Sequence, residues 1–559
     1  MQSGKLTDRH FPLLRDLSKS LRTMSEQLDM PVDLAQAIRK VALKRKQVLR
    51  AEPGDGAQLR RRLTAFDLTL LGIGASIGSG IFVIFGVAVK DTGPAVCISF
   101  LLAGLSCVFS AFCYAELAAL IPTSGSVYLY AYAAFGEFIA VTFGLNTLID
   151  YHVGAALGVS TVSAYLRGAM LQSFGIKVMP SESVISVSVL AVFTATLCVG
   201  VERGLKRVNG LLVVIKVSIV LLIIAVGCTR MQPTNLTPFQ PYGFGAVASM
   251  ATTVTFSYTG FGAVANAAEE CVNPNRDLPI GILGSLGASA LLYCVFAVVL
   301  CGLIPFREID EKAPIVAAFG PHYGNVAWIG AVVDWGAIIG VLTTLLVGLY
   351  SQARMYLAMS RDGILCSALG YVPSSLGTPV NAQILCGLVA SVLTVALPLE
   401  SLVRYLNIGV IASYTVVCGG VLVLRAQKPI IAGVSSVSVT VVSVAAGNAM
   451  AQLKADNISV VSAIGVLLLF VLIGVAWIPM FRQNYAVPMT FACPCCPLIP
   501  LLGITVNGFM LSQCHWEAWV RLVVTTILIV LAYAYRVRRA LREGRSERLA
   551  ENGMSLQPE

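Results

Sequence analysis

The sequence predicts an all-α protein that crosses a membrane many times. Three observations predict it. Apolar runs of about 18 residues or more recur along the chain, the length that a bilayer core demands. Of the 559 residues, 57% are hydrophobic and only 12% charged, and the mean hydropathy is +0.80. The remaining positive charge gathers at the ends, with 14 of the 39 Lys and Arg in Met1–Arg62 and six more after Tyr535. A net charge of +10 placed in this way is a topology signal, not a nucleic-acid one.

Residues 1–62 read as a basic cytosolic arm. Leu14, Leu17, Leu21, Met24 and Leu28 recur at helical spacing, and Asp29 with Pro31 fits an N-cap and first turn. Such an arm can lie on an anionic leaflet or serve as a solvated regulatory tail. Fourteen spans follow, at 67–89, 94–120, 136–167, 183–201, 208–228, 244–269, 278–304, 326–358, 379–397, 402–424, 429–449, 458–480, 496–512 and 517–536. The third and eighth are long, which implies tilt. Residues 63–424 form a ten-span core, 425–538 a four-span C-terminal module, and 539–559 a cytosolic tail.

The positive charges orient these spans. With both termini inside, 28 Lys and Arg fall on the inner side and nine on the outer. The two glycosylation sequons, at Asn235 and Asn457, both fall in outer loops of this topology. Most of the fifteen cysteines, Cys107, Cys113 and Cys418 among them, lie in apolar spans and read as small hydrophobes. Cys493-Pro-Cys495-Cys496 is a cluster without the second ligand pair a zinc site needs. No metal or cofactor is expected. HExxH and GxSxG are absent, histidines total four, and the chain does not read as an enzyme.

Two interruptions in the apolar spans organise the rest. Leu71–Phe82, LGIGASIGSGIF, carries Gly72, Gly74, Gly78 and Gly80. Ile77 stands where a GxGxxG motif needs its third glycine, which removes the nucleotide reading. A glycine cluster at mid-membrane depth suggests a helix that opens over a cavity, the alternative being close helix packing. Phe256–Gly262, FSYTGFG, is a second glycine interruption. It lies five spans further on, the spacing of an inverted five-plus-five repeat. Paired breaks of this kind point to a transporter binding site. Opened amides in the first would accept a carboxylate and opened carbonyls in the second an ammonium, which together suit an amino acid.

Ionisable groups inside spans are functional candidates by default. Glu116, Asp150 and His152 read either as helpers of a bound cation or as buried hydrogen-bond partners of backbone. Lys216, alone in LLVVIKVSIVLLII, must be paired or neutral. Burial disfavours a lysine's charged form, so this residue is a candidate proton carrier. Asp334 and Arg354 lie 20 residues apart in the eighth span, too far along the helix to pair with each other.

These residues match a known family. Arg62-Leu-Thr-Ala-Phe-Asp67 with GIGASIGSGIF, then CYAELAALIPTSGSVYLYAY, FSYTGFGAVANAAEECVNPNRDLP, ARMYLAMSRDG and YLNIGVIASYTVVCGGVLVLR, resembles the cationic amino acid transporters of the amino acid–polyamine–organocation superfamily. Cys493–Leu502 with Val506-Asn507 and Trp519-Val520-Arg521 resembles the module that gives that subfamily fourteen spans. The resemblance covers roughly 62–538. It implies two inverted five-helix repeats of LeuT type and transport by alternating access. The substrate carboxylate would meet amides at Gly78, Ser79 and Gly80. Its amino group would meet carbonyls near Ser76, Ile77, Phe256, Ser257 and Thr259. Phe256 would be an aromatic gate, and Lys216 would stand where proton-coupled relatives carry a lysine in place of sodium. Glu116 and Asp150 match acidic positions of the family. Gly348 would leave room for an arginine or lysine side chain, though a large neutral one would also fit.

The expected function is therefore secondary transport of an L-amino acid, cationic by resemblance, with a proton, in contact with membrane lipid and without nucleic acid. Neutral amino acid transport and a non-transporting sensor are the alternatives. A channel is disfavoured, since no charge rings or repeated polar faces run along the spans. The plasma membrane is the expected location, with a vacuolar or lysosomal membrane as the alternative.

Overall fold

The computed structural model describes residues 61–78, 80–174, 179–199, 202–309, 314–319, 327–373, 376–452 and 460–542. The expected arm before Arg61, Ser79, the Asn457 sequon and the tail beyond Arg542 lie outside the described residues. Among the described residues there are helices and no strands, with isolated bridges only at Leu63–Cys271 and Ala426–Tyr485. Among the described residues, eight helical stretches are long and apolar enough to cross a membrane, and four further apolar helices are shorter.

The first span is broken. Helix α1 (Ala65–Ser76) opens on a capping box, in which the Asp67 carboxylate accepts the Thr64 amide at 2.9 Å and Thr64 caps in return. It stops at Ile77, whose backbone turns extended (φ −74°, ψ 97°). A π-turn over Gly80–Ile84 then leads into α2 (Phe85–Thr92). Next come α3 (Val96–Leu120), the buried loop helix α4 (Val127–Phe135), the long α5 (Glu137–Phe174), α6 (Glu182–Cys198) and α7 (Glu202–Arg230). The sixth span is broken too. α8 (Gly243–Val254) tightens into a 3₁₀ turn over Thr255–Tyr258 before α9 (Gly260–Asn266).

Helix α10 (Pro274–Leu303) takes its proline at the first position, where the missing N–H costs nothing. After α11 (Pro314–Phe319) comes α12 (Ala327–Arg361), the second long helix, then α13 (Val380–Ala396). The tenth span has a break the sequence reading did not expect. α14 (Leu399–Tyr405) and α15 (Ile408–Arg425) are separated at Asn407, which sits in the left-handed region at φ 79°. Its side-chain amide donates to the carbonyls of Thr252 (2.9 Å) and Thr253 (3.1 Å) in α8. Then follow α16 (Pro429–Gln452), α17 (Val460–Phe481), α18 (Leu498–Ser512) and α19 (Trp516–Arg542).

The core sits where α1, α3, α9, α10, α12 and α15 meet. Tyr114, Phe261 and Tyr414 form an aromatic triangle there, with centroids 5.0–5.6 Å apart and mostly edge-to-face. α18 packs against α3, α15 and α16, and so ties the C-terminal helices to the core.

Candidate functional site

The two breaks touch each other. A Cβ added at Gly80 would strike Ser257, and one at Gly260 would strike the Gly72 carbonyl and Ser76. Only glycine allows the interrupted segments to lie this close. The freed backbone is satisfied from the sides, as lipid exposure would forbid. Tyr165 donates to the Phe82 carbonyl at 2.7 Å, and Tyr293 to the Ser257 carbonyl at 2.9 Å.

Lys216 reaches the first break from α7. It is fully buried, and its Nζ donates to the carbonyls of Gly74 (2.7 Å) and Ile77 (2.6 Å) and to Thr343 Oγ1 (2.9 Å). An ammonium has three donors, and all three are placed. Thr344 Oγ1 lies 3.1 Å from the same two carbonyls. The Ile77 carbonyl, one of the acceptors expected for a substrate amine, thus already faces Lys216 and Thr344.

Beside the breaks lies a cavity, part of it open to solvent. Phe256, Thr259 and Gly348, all expected, line it. A Cβ on Gly348 would meet nothing within 4 Å. Two helix faces that the sequence reading missed complete the wall: Tyr151, Gly154 and Gly158 on α5, and Val341, Thr344 and Ser351 on α12. Their helical spacing, i, i+3, i+7 on α5 and i, i+3, i+10 on α12, is the available signal, but apolar spans carry many such rows. The hydroxyls of Ser351 and Ser257 are buried without a hydrogen-bond partner, and Ser351 belongs to the lining.

Neither Glu116 nor Asp150 is among the described residues that line this cavity, and of the two readings offered for them the bonds seen are those of buried hydrogen-bond partners of backbone. The Glu116 carboxylate accepts the Cys493 amide at 2.6 Å and pairs with Arg425 at 3.2 Å. Asp150 forms an ion pair with Arg521 of α19 and accepts the Val410 amide at 2.7 Å. His152 Nε2 lies 2.9 Å from the Tyr356 hydroxyl. Buried carboxylates need such partners, and here they tie helices together. Arg354 finds its partner in Glu270, at 2.5 Å, and Arg361 pairs with Glu269 at 3.3 Å. Asn235 donates its side-chain amide to the Gly302 carbonyl at 3.0 Å. All fifteen cysteines are free thiols.

A helical membrane protein with two touching helix breaks over a small-molecule cavity belongs to the carrier class of folds. The chain is a member of the amino acid permease family, whose model matches residues 63–499, and the model of that family's C-terminus matches 491–540. It is 38% identical to cationic amino acid transporter 9, chloroplastic, of Arabidopsis thaliana, over 86% of this chain and 88% of that protein. It is also similar to two Bacillus subtilis proteins. The methylthioribose transporter is 39% identical over 66% of this chain and 82% of its own length. The branched-chain amino acid permease BcaP is 38% identical over the same shares. The expected kinship with cationic amino acid transporters in the amino acid–polyamine–organocation superfamily therefore holds.

Proposed function

We propose that the chain is a secondary active transporter that moves an L-amino acid with a proton by alternating access. The observation that carries this reading is the pair of touching breaks beside the cavity, with Lys216 bonded to the carbonyls of one of them. The core is read as two inverted five-helix repeats over 63–424, followed by a four-helix module over 425–538. The substrate carboxylate meets amides at Gly78, Ser79 and Gly80, and its amino group meets carbonyls of Ser76 and of the sixth-span turn at Phe256, Ser257 and Thr259. Phe256 covers the substrate as a gate.

Lys216 is the coupling group in this reading. Charged, it holds the first break to α12 through three bonds. On losing its proton it gives up at least one of them, and the break is freed to move. Proton and conformation are thereby linked.

The relatives' names divide on the side chain. A cationic substrate follows from the Arabidopsis name, and an uncharged one from the two Bacillus names. Both termini are read as cytosolic. The expected plasma membrane finds no support in the Arabidopsis name, which places that protein in the chloroplast, so an organellar membrane joins the reading.

The test is uptake of radiolabelled arginine and leucine by the purified protein in liposomes, with and without an inward proton gradient. The gradient should stimulate uptake of at least one of them, and Lys216→Ala should abolish that stimulation. A Lys216→Ala protein with an unchanged gradient response would remove the coupling role.

A further inference from the structure

The chemistry of the cavity wall bears on which side chain it receives. The wall facing the breaks comes from two helices. On α5 it presents Gly154, Ala155 and Gly158, and on α12 it presents Val341, Leu345 and Gly348. These are aliphatic or have no side chain. The polar side chains of the described lining are hydroxyls, those of Tyr151, Thr259, Thr344 and Ser351. No described lining residue is an aspartate or glutamate.

The nearby carboxylates are already committed. Asp150 precedes Tyr151 in the chain, yet it pairs with Arg521 and accepts the Val410 amide. Glu270 accepts both Arg354, at 2.5 Å, and the Tyr350 hydroxyl, at 2.6 Å. Glu269 holds Arg361 and Glu116 holds Arg425. A guanidinium or ammonium entering the cavity would find no carboxylate in the described lining, and the Gly74 and Ile77 carbonyls at the first break already hold Lys216. A buried cation without a partner is disfavoured far more strongly than an uncharged group of the same size. Aliphatic walls reward apolar surface in proportion to the area covered.

We infer that the carried side chain is uncharged and apolar: the substrate is a neutral amino acid of the aliphatic class, its zwitterionic end held at the breaks and its side chain lying between Gly154, Gly158, Val341 and Leu345. This deepens the amino acid reading and rests on it. The open space at Gly348 gives that side chain room. Asp334 stands seven residues before Val341 on α12, about 10 Å along the helix, and is the acid to exclude.

The experiment is competition in liposomes containing the full-length protein. Uptake of labelled leucine is measured against unlabelled isoleucine, methionine, arginine and lysine, alongside thermal stabilisation of the detergent-purified protein by each. Isoleucine and methionine should compete at concentrations at least tenfold lower than arginine and lysine. Leu345→Glu, which places a carboxylate on the wall, should narrow or reverse that ratio. Should Leu345→Glu fail to fold, the wild-type ratio decides alone. Arginine competing as well as isoleucine would overturn the inference while leaving amino acid transport standing. Loss of that arginine competition in Asp334→Asn would identify the missing counter-charge. Uptake and stabilisation by no amino acid of either class would overturn the amino acid reading itself, and the inference with it.

Discussion

The seam between the core and the C-terminal helices and the centre of the core treat polarity in opposite ways. At the seam, full charges face each other: Glu116 with Arg425, and Asp150 with Arg521. At the centre, Lys216 apart, the polar atoms are backbone carbonyls, amides and hydroxyls around a wall with no acid among its described residues. Charges inside a span suggest function by default, yet here most of them join helices. The site is made instead from backbone that glycine has exposed. The difference teaches that an intramembrane carboxylate marks a site only when its partner is known to be absent.

The strongest way to break this comparison is to remove one charge from the seam. Arg521→Met leaves Asp150 buried without its cation and should destabilise the protein by about 3–5 kcal/mol. Thermal unfolding in detergent measures it, and the neutral pair Asp150→Asn with Arg521→Met should recover most of the loss. A single variant as stable as wild type would show that the pair does not hold the seam.

A smaller effect sharpens the account of the centre. Gly260→Ala forces a Cβ onto the Gly72 carbonyl and Ser76, and should cost about 1–3 kcal/mol while lowering uptake further than stability explains. Asn407→Ala removes a left-handed turn residue and its bonds to Thr252 and Thr253, for a loss of about 1–2 kcal/mol by the same unfolding assay. Gly348→Ala should be the mildest, within about 0.5 kcal/mol of wild type in stability, since its Cβ meets open space. Its signature is selective: uptake of leucine falls while uptake of alanine persists. Equal loss of both would move Gly348 from the side-chain pocket to the moving parts.

Which features were legible in the sequence follows from how far each signal reaches along the chain. The breaks at Ser76–Gly80 and Phe256–Thr259 were visible because clustered glycines stand out in an apolar run. Lys216 was visible because a lone lysine there demands a partner, although Gly74, Ile77 and Thr343 lie 127 or more residues away. The partners of Glu116 and Asp150 were not legible, because ion-pair geometry across hundreds of residues leaves no local pattern. Tyr151, Val341 and Thr344 were missed because they look like any other span residue until the helices are placed. The Asn407 break escaped because one asparagine, unlike a glycine cluster, gives little warning of a left-handed turn.

The Glu116–Arg425 and Asp150–Arg521 pairs also fix an order in time. A ribosome finishes Glu116 more than 300 residues before Arg425, and Asp150 more than 350 before Arg521. At some 5–20 residues per second, each carboxylate waits tens of seconds for its arginine. During that wait the acids must stay protonated, in water, or in the keeping of the insertion machinery. A nonsense codon in the last helix would then yield a chain with every piece of the transport site and an unanswered charge beside it. Quality control would meet that charge before any substrate did.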